Sequence, residues 1–262
     1  MKKYAVISTD DNPDYYSLVP ITCYSWKKLG YIPIVIQVID LGKENTYKKF
    51  IQFCDDAIIH PISSVKGIKD STTAQVSRLF AGCLPYINND DIIVSGDCDM
   101  VIAKDIFANT QLISSYGFDL TGRSELPICY VYATKNKWQE LMKISSDTYI
   151  EKEIKNNVSE KAYSDKWEDY WSVDQQLLTL RAKEYGFENI LFVDRGHDQS
   201  NHGLPKGRWD RYKWENIPSE IIDVHMIRHP LNNWDKIIEM CKYLWPNDDL
   251  SWVENLGKEL KK

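Results

Sequence analysis

Eight consecutive residues, Ile32-Pro33-Ile34-Val35-Ile36-Gln37-Val38-Ile39, are nearly all apolar. A strand with one solvated face would alternate apolar and polar side chains. An unbroken run belongs to a strand buried on both faces, and such strands sit inside parallel sheets covered by helices on either side. The flanking segments agree. Residues 4–8 read as a first strand, and Asn12-Pro13 as a helix start with Asn at the cap and Pro in the first turn. That helical segment runs to Leu29, with Pro20 kinking or dividing it and Gly30 ending it. Strand and helix alternate from the beginning, which predicts an α/β fold with a mostly parallel central sheet flanked by helices.

Further along, a helix is expected over residues 45–53 and a short strand over 57–59. Thr72 or Thr73 is placed to cap a helix whose Val76, Leu79, Phe80 and Cys83 share one face. Residues 118–121 and 128–133 are strand candidates and 135–144 a helix. The charged, aromatic stretch 147–170 has no clear period and reads as an insertion or lid-like connection. Ser172 is placed to cap a helix that stops at Gly186, and residues 190–194 form a strand. Residues 195–216 read as a long polar loop, 221–226 as a last strand, and 234–244 as a helix. With no internal repeat and no linker-like segment, the simplest reading is one domain over 1–262.

A net charge of −6 argues against nucleic acid as a partner, because phosphate backbones need a basic surface. The six cysteines (Cys23, Cys54, Cys83, Cys98, Cys129 and Cys241) form no CxxC pair, and several lie in apolar runs. That usage predicts a reduced, cytoplasmic protein. The apolar run after Met1-Lys2-Lys3 is too short for a signal peptide. No run approaches the roughly 18 apolar residues of a transmembrane segment.

The chemistry concentrates where Ile92-Ile93-Val94-Ser95-Gly96 runs into Asp97-Cys98-Asp99. Three apolar residues read as a buried strand, and two carboxylates stand at its carboxyl end, the place where ligands sit in open α/β sheets. Paired acids aimed at one point suit a hard divalent cation that keeps positions open for phosphate oxygens. A solvated Asp-rich turn is the plainer alternative. The first strand likewise ends in Ser8-Thr9-Asp10-Asp11-Asn12, polar groups suited to a nucleotide or simply to helix capping. Four of the five histidines lie in the last quarter, and His225 falls near the end of an apolar strand, where it would either add a nitrogen to two carboxylate oxygens or, as a lone histidine there more often does, serve the structure alone. Arg228, His229 and Trp234 follow it. Ser172-Val173-Asp174-Gln175-Gln176 puts an acid and two amides in a first helical turn, either as a polar wall for a sugar or as a favourable partner for the helix dipole. Arg78 lies just off an apolar stripe, where it is either a site residue or a solvated one.

Taken in order, Thr9-Asp10-Asp11-Asn12, Ser77-Arg78-Leu79, Asp97-Cys98-Asp99, Asp174-Gln175, and His225 followed by Arg228 and Trp234 resemble a GT-A glycosyltransferase. Among these the chain is most similar to the retaining family eight, of the glycogenin and bacterial galactosyltransferase type. The resemblance runs from residue 4 to about 240. It implies a GT-A domain with a nucleotide-binding part over about 1–105 and an acceptor-side part over about 106–245. It further implies a nucleotide-sugar donor, with UDP as its nucleotide, and a glycan or other hydroxyl acceptor. Thr9, Asp10, Asn12, Arg78, Cys98 and Arg228 would hold the donor. Asp97, Asp99 and His225 would bind Mn²⁺ or Mg²⁺, and Asp174 and Gln175 would meet the donor sugar as the catalytic pair. Where that family has Phe-Asn-Ala-Gly, this chain has Pro127-Ile128-Cys129-Tyr130, and no Gly precedes the Arg228 segment.

Retention and inversion both stay open. If the configuration inverts, a carboxylate must act as general base on the acceptor, and Asp174 and Asp169 are the candidates. Trp167, Trp171, Trp209 and Trp214 are expected to border the cleft, where they either stack on sugar faces or, as tryptophans more often do, simply fill the core. Two rival readings remain. Asp97-Cys98-Asp99-Met100-Val101 also fits a haloacid-dehalogenase-like phosphatase with Asp97 as nucleophile. A non-catalytic nucleotide- or sugar-binding protein would keep the nucleotide pocket and not need the Asp174 region.

Overall fold

The computed structural model describes residues 1–39, 50–107, 113–117, 125–164, 166–198 and 204–261. Twelve strands and nine helices of this part follow in chain order. The first half contains β1 (Lys3–Thr9), α1 (Pro13–Tyr16), α2 (Val19–Lys28), β2 (Ile32–Ile39), β3 (Ile58–Ser63), α3 (Asp70–Ser77), β4 (Ile92–Ser95), β5 (Met100–Ile102), β6 (Ile113–Gly117) and β7 (Val131–Thr134). The second half contains α4 (Lys135–Met142), α5 (Ile150–Asn157), α6 (Trp167–Tyr170), α7 (Val173–Tyr185), β8 (Ile190–Asp194), β9 (His197–Asp198), β10 (Leu204–Pro205), β11 (Arg208–Asp210), β12 (Asp223–His225), α8 (Trp234–Leu244) and α9 (Ser251–Leu260). Short 3₁₀ turns join several of them.

Seven strands make the main sheet in the order β3-β2-β1-β4-β7-β6-β8. β1 pairs in parallel with β2 and β4, β2 with β3, and β6 with β8; β7 alone runs against its neighbours. The all-apolar β2 lies inside this sheet, as its composition demands. Alternate residues of β1 serve different cores: Tyr4 and Val6 pack with Ile34, Ile36, Val76 and Leu79 on one face. Ala5 and Ile7 pack on the other face, Ala5 with Trp26 and Ile7 with Val19 and Val35. Both faces are therefore covered, which is the condition a parallel sheet imposes.

A second, three-stranded sheet of order β11-β12-β5 stands beside the first. It has its own core, in which Val101 and Val224 meet Trp209, Trp214, Trp234 and Met226 under α8 and α9. Its register sets Asp210 opposite His225 and His225 opposite Met100. That pairing fixes a residue of the last strand against the loop that leaves β4.

The helical segment divides at Pro20 as expected, and Pro20 stands in the first turn of α2, where a proline's missing N–H costs nothing. Several other expectations need correction. α3 starts at Asp70 rather than at a Thr72 or Thr73 cap, and both threonines are buried within it. The stretch 147–170 is no lid: α5 inserts Ile150 and Ile154 into the main core. The supposed loop 195–216 contains β11. Ser172 precedes α7 but does not cap it, because its hydroxyl donates to Glu125 Oε1 at 3.1 Å. The strand candidate 118–121 and most of the expected helix 45–53 lie outside the described residues.

Candidate functional site

β1 sits between β2 on one side and β4 on the other, so the direction of connection reverses there, and the carboxyl ends of β1 and β4 open on a common crevice. A cavity of about 340 Å³ occupies it. Thr9, Asp10, Arg78, Asp97, Cys98, Asp99, Asp174, Gln175, His225 and Arg228 all line this cavity. These come from five separate parts of the chain. Asn12 is not among the lining residues; its side chain accepts the Asp14 N–H at 3.1 Å and caps α1.

The first-strand end is held from within. Asp10 accepts the Asn12 N–H through Oδ1 at 3.1 Å, and Thr9 Oγ1 donates to the Asp10 carbonyl at 3.1 Å. Burial pushes the Asp10 carboxyl upward despite backbone hydrogen bonds that favour its charge. At the end of β4, Gly96 lies against Trp26: a Cβ there would stand 3.3 Å from the indole. The Cys98 carbonyl accepts from Thr22 Oγ1 at 2.7 Å, tying the acid-bearing turn to α2.

Arg78 follows α3 and is buried rather than solvated, with only 4% exposed. Its Nη1 donates to the Gly96 carbonyl at 2.8 Å and to Asp97 Oδ1, and its Nη2 donates to Asp174 Oδ2 at 3.1 Å. One guanidinium thus fixes two carboxylates from distant elements. The two acids respond differently. Burial works against the Asp97 charge, but the adjacent Arg78 cation and hydrogen bond outweigh it and hold the carboxyl below its ordinary value. Asp174 has burial as its dominant influence; with Asp97 also opposing it, Arg78 does not compensate, and its pKa is pushed up to about 6. Asp174 Oδ1 also accepts the Gln175 N–H at 2.9 Å, so it does serve the start of α7.

The small sheet supplies the opposite wall. His225 Nδ1 lies 3.1 Å from Asp210 Oδ2, which leaves Nε2 directed at Asp99 Oδ2, 3.6 Å away. A histidine whose far nitrogen is held by a carboxylate is oriented in the manner of a metal ligand. Arg211, the residue after β11, enters the same place: its Nη2 contacts both Asp99 Oδ2 and His225 Nε2. Neither Asp210 nor Arg211 was legible as a site residue, because β11 is three residues long inside a polar stretch.

Among the described residues, no three His, Cys, Asp or Glu side chains are gathered into a ready-made metal cluster. The donor chemistry at Asp97, Asp99 and His225 nevertheless fits a divalent ion: two hard oxygens, one oriented imidazole, and a cation already seated between two of them. The cavity wall carries four carboxylates (Asp10, Asp97, Asp99, Asp174) against three guanidiniums (Arg78, Arg211, Arg228). A doubly or triply charged anion entering such a site needs further positive charge.

The tryptophans divide. Trp171 lines the cavity. Trp209 and Trp214 do not border the cleft; their rings pack 4.7 Å apart in the second core, with Trp209 Nε1 donating to the Trp214 carbonyl. Trp234 is likewise buried and bonds the Val253 carbonyl at 3.0 Å. The Trp167 side chain lies outside the described residues. Asp169 is not among the cavity-lining residues and accepts from Ser164 Oγ at 2.7 Å. His229 faces solvent and pairs with Asp14 at 2.9 Å. No helix of the described residues is long and apolar enough to cross a membrane.

No family model and no curated protein matches the sequence. Solved structures do. The glycosyltransferase GlyE of Streptococcus pneumoniae TIGR4 aligns over 100% of this chain and 64% of its own, at 12% identity and a TM-score of 0.50. The galactosyltransferase LgtC, solved in complex with donor and acceptor sugar analogs, aligns over 98% of this chain and 95% of its own, at 13% identity and a TM-score of 0.47. At such identities the likeness to GlyE is one of fold: a mixed α/β chain whose mostly parallel central sheet is flanked by helices.

Proposed function

We propose that this chain is a metal-dependent GT-A glycosyltransferase that moves a sugar from a nucleotide sugar, with UDP as its nucleotide, to a hydroxyl acceptor. The observation that carries this reading is the meeting of Thr9 and Asp10, Arg78, Asp97 and Asp99, Asp174 and Gln175, and His225 in one cavity at the β1/β4 switch point. The fold shared with GlyE and the ordered resemblance to family eight point the same way.

Thr9 and Asp10 would meet the nucleoside at the carboxyl end of β1. Asp97, Asp99 and His225 would hold Mn²⁺ or Mg²⁺, which when bound supplies charge neutralisation for the leaving nucleoside diphosphate. Arg228, exposed at the cavity mouth, adds a further cation for that leaving group. Arg78 holds Asp97 and Asp174 in fixed relation, so the cation-facing and sugar-facing carboxylates keep their spacing without a rearrangement during reaction. Asp174, with a pKa near 6, is suited to hold or release a proton close to neutral pH. Gln175, next to it in the cavity lining, would meet the donor sugar. The wall Pro127-Ile128-Cys129 is less polar than the family's Asn-bearing segment, which favours a donor sugar presenting an apolar edge there.

The phosphatase reading is disfavoured. The nucleophile of such an enzyme normally follows the first strand of its domain, whereas Asp97 follows β4, and Arg78 holds one of the Asp97 oxygens. Incubation with a panel of nucleotide sugars and Mn²⁺, with released nucleoside diphosphate as the readout, tests the proposal. Metal-dependent release with at least one donor is expected. Phosphate release from simple phosphomonoesters would favour the rival, and binding without turnover would favour the non-catalytic protein.

A further inference from the structure

Arg211 has no counterpart among the expected site residues, yet its side chain is only 4% exposed and its Nη2 reaches both Asp99 Oδ2 and His225 Nε2. Among the described residues, its Nε is buried without a hydrogen-bond partner. An unpaired N–H in a buried guanidinium is costly, so this resting position satisfies the fork only in part. The backbone is fixed on the strand side: Asp210 pairs in register with His225, and Asp210 Oδ1 accepts the Tyr212 N–H at 2.9 Å.

We propose that Arg211 is a resident cation that occupies the ground between Asp99 and His225 until a divalent ion takes these two groups, and that it then binds the donor diphosphate. The inference rests on the transferase reading above. Two cations cannot share one carboxylate oxygen and one imidazole nitrogen, so an arriving metal must expel the guanidinium. A planar fork matches phosphate oxygens in a way a point charge does not, and a diphosphate in the same cavity offers acceptors to Nε and Nη together. Metal and donor would therefore bind cooperatively, because the anion receives the cation that the metal displaces. In the absence of donor, the metal's apparent affinity is reduced by the fraction of molecules in which Arg211 holds the site.

Mn²⁺ binding is measured calorimetrically with Mn²⁺ alone for the wild type and Arg211→Gln, and UDP binding is then measured in saturating Mn²⁺. Arg211→Gln is expected to bind Mn²⁺ alone about tenfold more tightly or better, since it removes the competitor, while binding UDP more weakly. Unchanged or weaker Mn²⁺ binding by a folded variant overturns the inference. Should the variant not fold, a structure of the wild type with Mn²⁺ and UDP decides: Arg211 on a phosphate oxygen supports it, and Arg211 still on Asp99 and His225 overturns it. Wild-type protein that binds UDP neither with nor without Mn²⁺ would instead overturn the transferase reading. Normal UDP·Mn²⁺ binding beside an unaltered Mn²⁺ affinity in the variant removes Arg211 alone.

Discussion

Arg78 Nη2 donates to Asp174 Oδ2 at 3.1 Å across 96 positions of sequence, and the same guanidinium engages Asp97. The residue after α3, the turn after β4 and the first turn of α7 are thereby locked around one buried cation. Each acid faces the cavity and is bonded by the same guanidinium, which holds the Asp97 carboxyl below its ordinary value, whereas burial keeps that of Asp174 raised.

The raised pKa of Asp174 makes its contribution separable from that of its neighbours. A carboxyl at about 6 in the fold, against about 3.9 in the unfolded chain, binds its proton more tightly when folded. Its burial therefore favours the fold at low pH, and this contribution is lost as pH rises from about 4 through 6. Asp174→Asn should flatten that part of the stability profile and keep UDP binding, yet cut transfer by about 100-fold or more. Urea denaturation between pH 4 and 7, with rates measured at pH 7, checks both halves. A loss of only two- or threefold would leave Asp174 as a helix-start residue accepting the Gln175 N–H.

The charge balance of the cavity, four carboxylates against three guanidiniums, leads us to expect metal dependence. EDTA should abolish diphosphate release by the wild type, and Mn²⁺ should restore it. Asp97→Asn and Asp99→Asn should each lose transfer while remaining folded by circular dichroism. Full activity in EDTA would show that the arginines alone neutralise the donor.

Asp223 is fully buried between two cations: Arg195 Nη1 at 2.6 Å and Arg208 Nη2 at 2.9 Å. Burial opposes its charge, but the two guanidiniums prevail and hold its pKa well below the ordinary range. With a depressed folded pKa, its contribution is present above about pH 4 and is lost as the pH falls toward the folded value. Asp223→Ala removes the carboxylate that these two guanidiniums share and should cost about 3–5 kcal/mol. Denaturation midpoints at pH 7 and pH 3 should differ less in this variant than in the wild type.

What the sequence made legible follows from periodicity and from strand ends. β1, β2 and β4 are apolar runs long enough to be read, so the acids at their carboxyl ends could be placed at a crevice before any coordinates. His225 was readable because it ends such a run. Arg208-Trp209-Asp210 was not, since three residues show no period and the neighbouring Gly, Arg and Lys look like loop. The assignment of Trp209 and Trp214 to the cleft failed for the same reason: without β11 there was no second sheet for them to pack beneath. α5 was hidden by its shortness, because only Ile150 and Ile154 mark its buried face. Arg78 illustrates a different limit. Its position at the edge of an apolar stripe suits solvent or a buried ion pair equally, and only the tertiary placement of Asp97 and Asp174 decides.

Asp210 gives the most discriminating test of the cation site, because it touches His225 and not the cavity's carboxylates. Its side chain is 2% exposed, and burial is outweighed by the His225 hydrogen bond, so its carboxyl stays below the ordinary value. An ionised Asp210 at Nδ1 fixes the imidazole tautomer that leaves the Nε2 lone pair toward Asp99. Asp210→Asn preserves size and one hydrogen bond but no longer fixes that tautomer. The expected outcome is a loss of metal affinity of about 10–100-fold, the usual weight of an outer carboxylate on a histidine ligand. The rate at saturating Mn²⁺ should be largely recovered. His225→Ala should show the same direction with a larger loss that Mn²⁺ does not fully restore. If Asp210→Asn leaves the Mn²⁺ requirement untouched while His225→Ala abolishes folding, the Asp210–His225 pair belongs to the packing of β11 on β12 and not to the cation site.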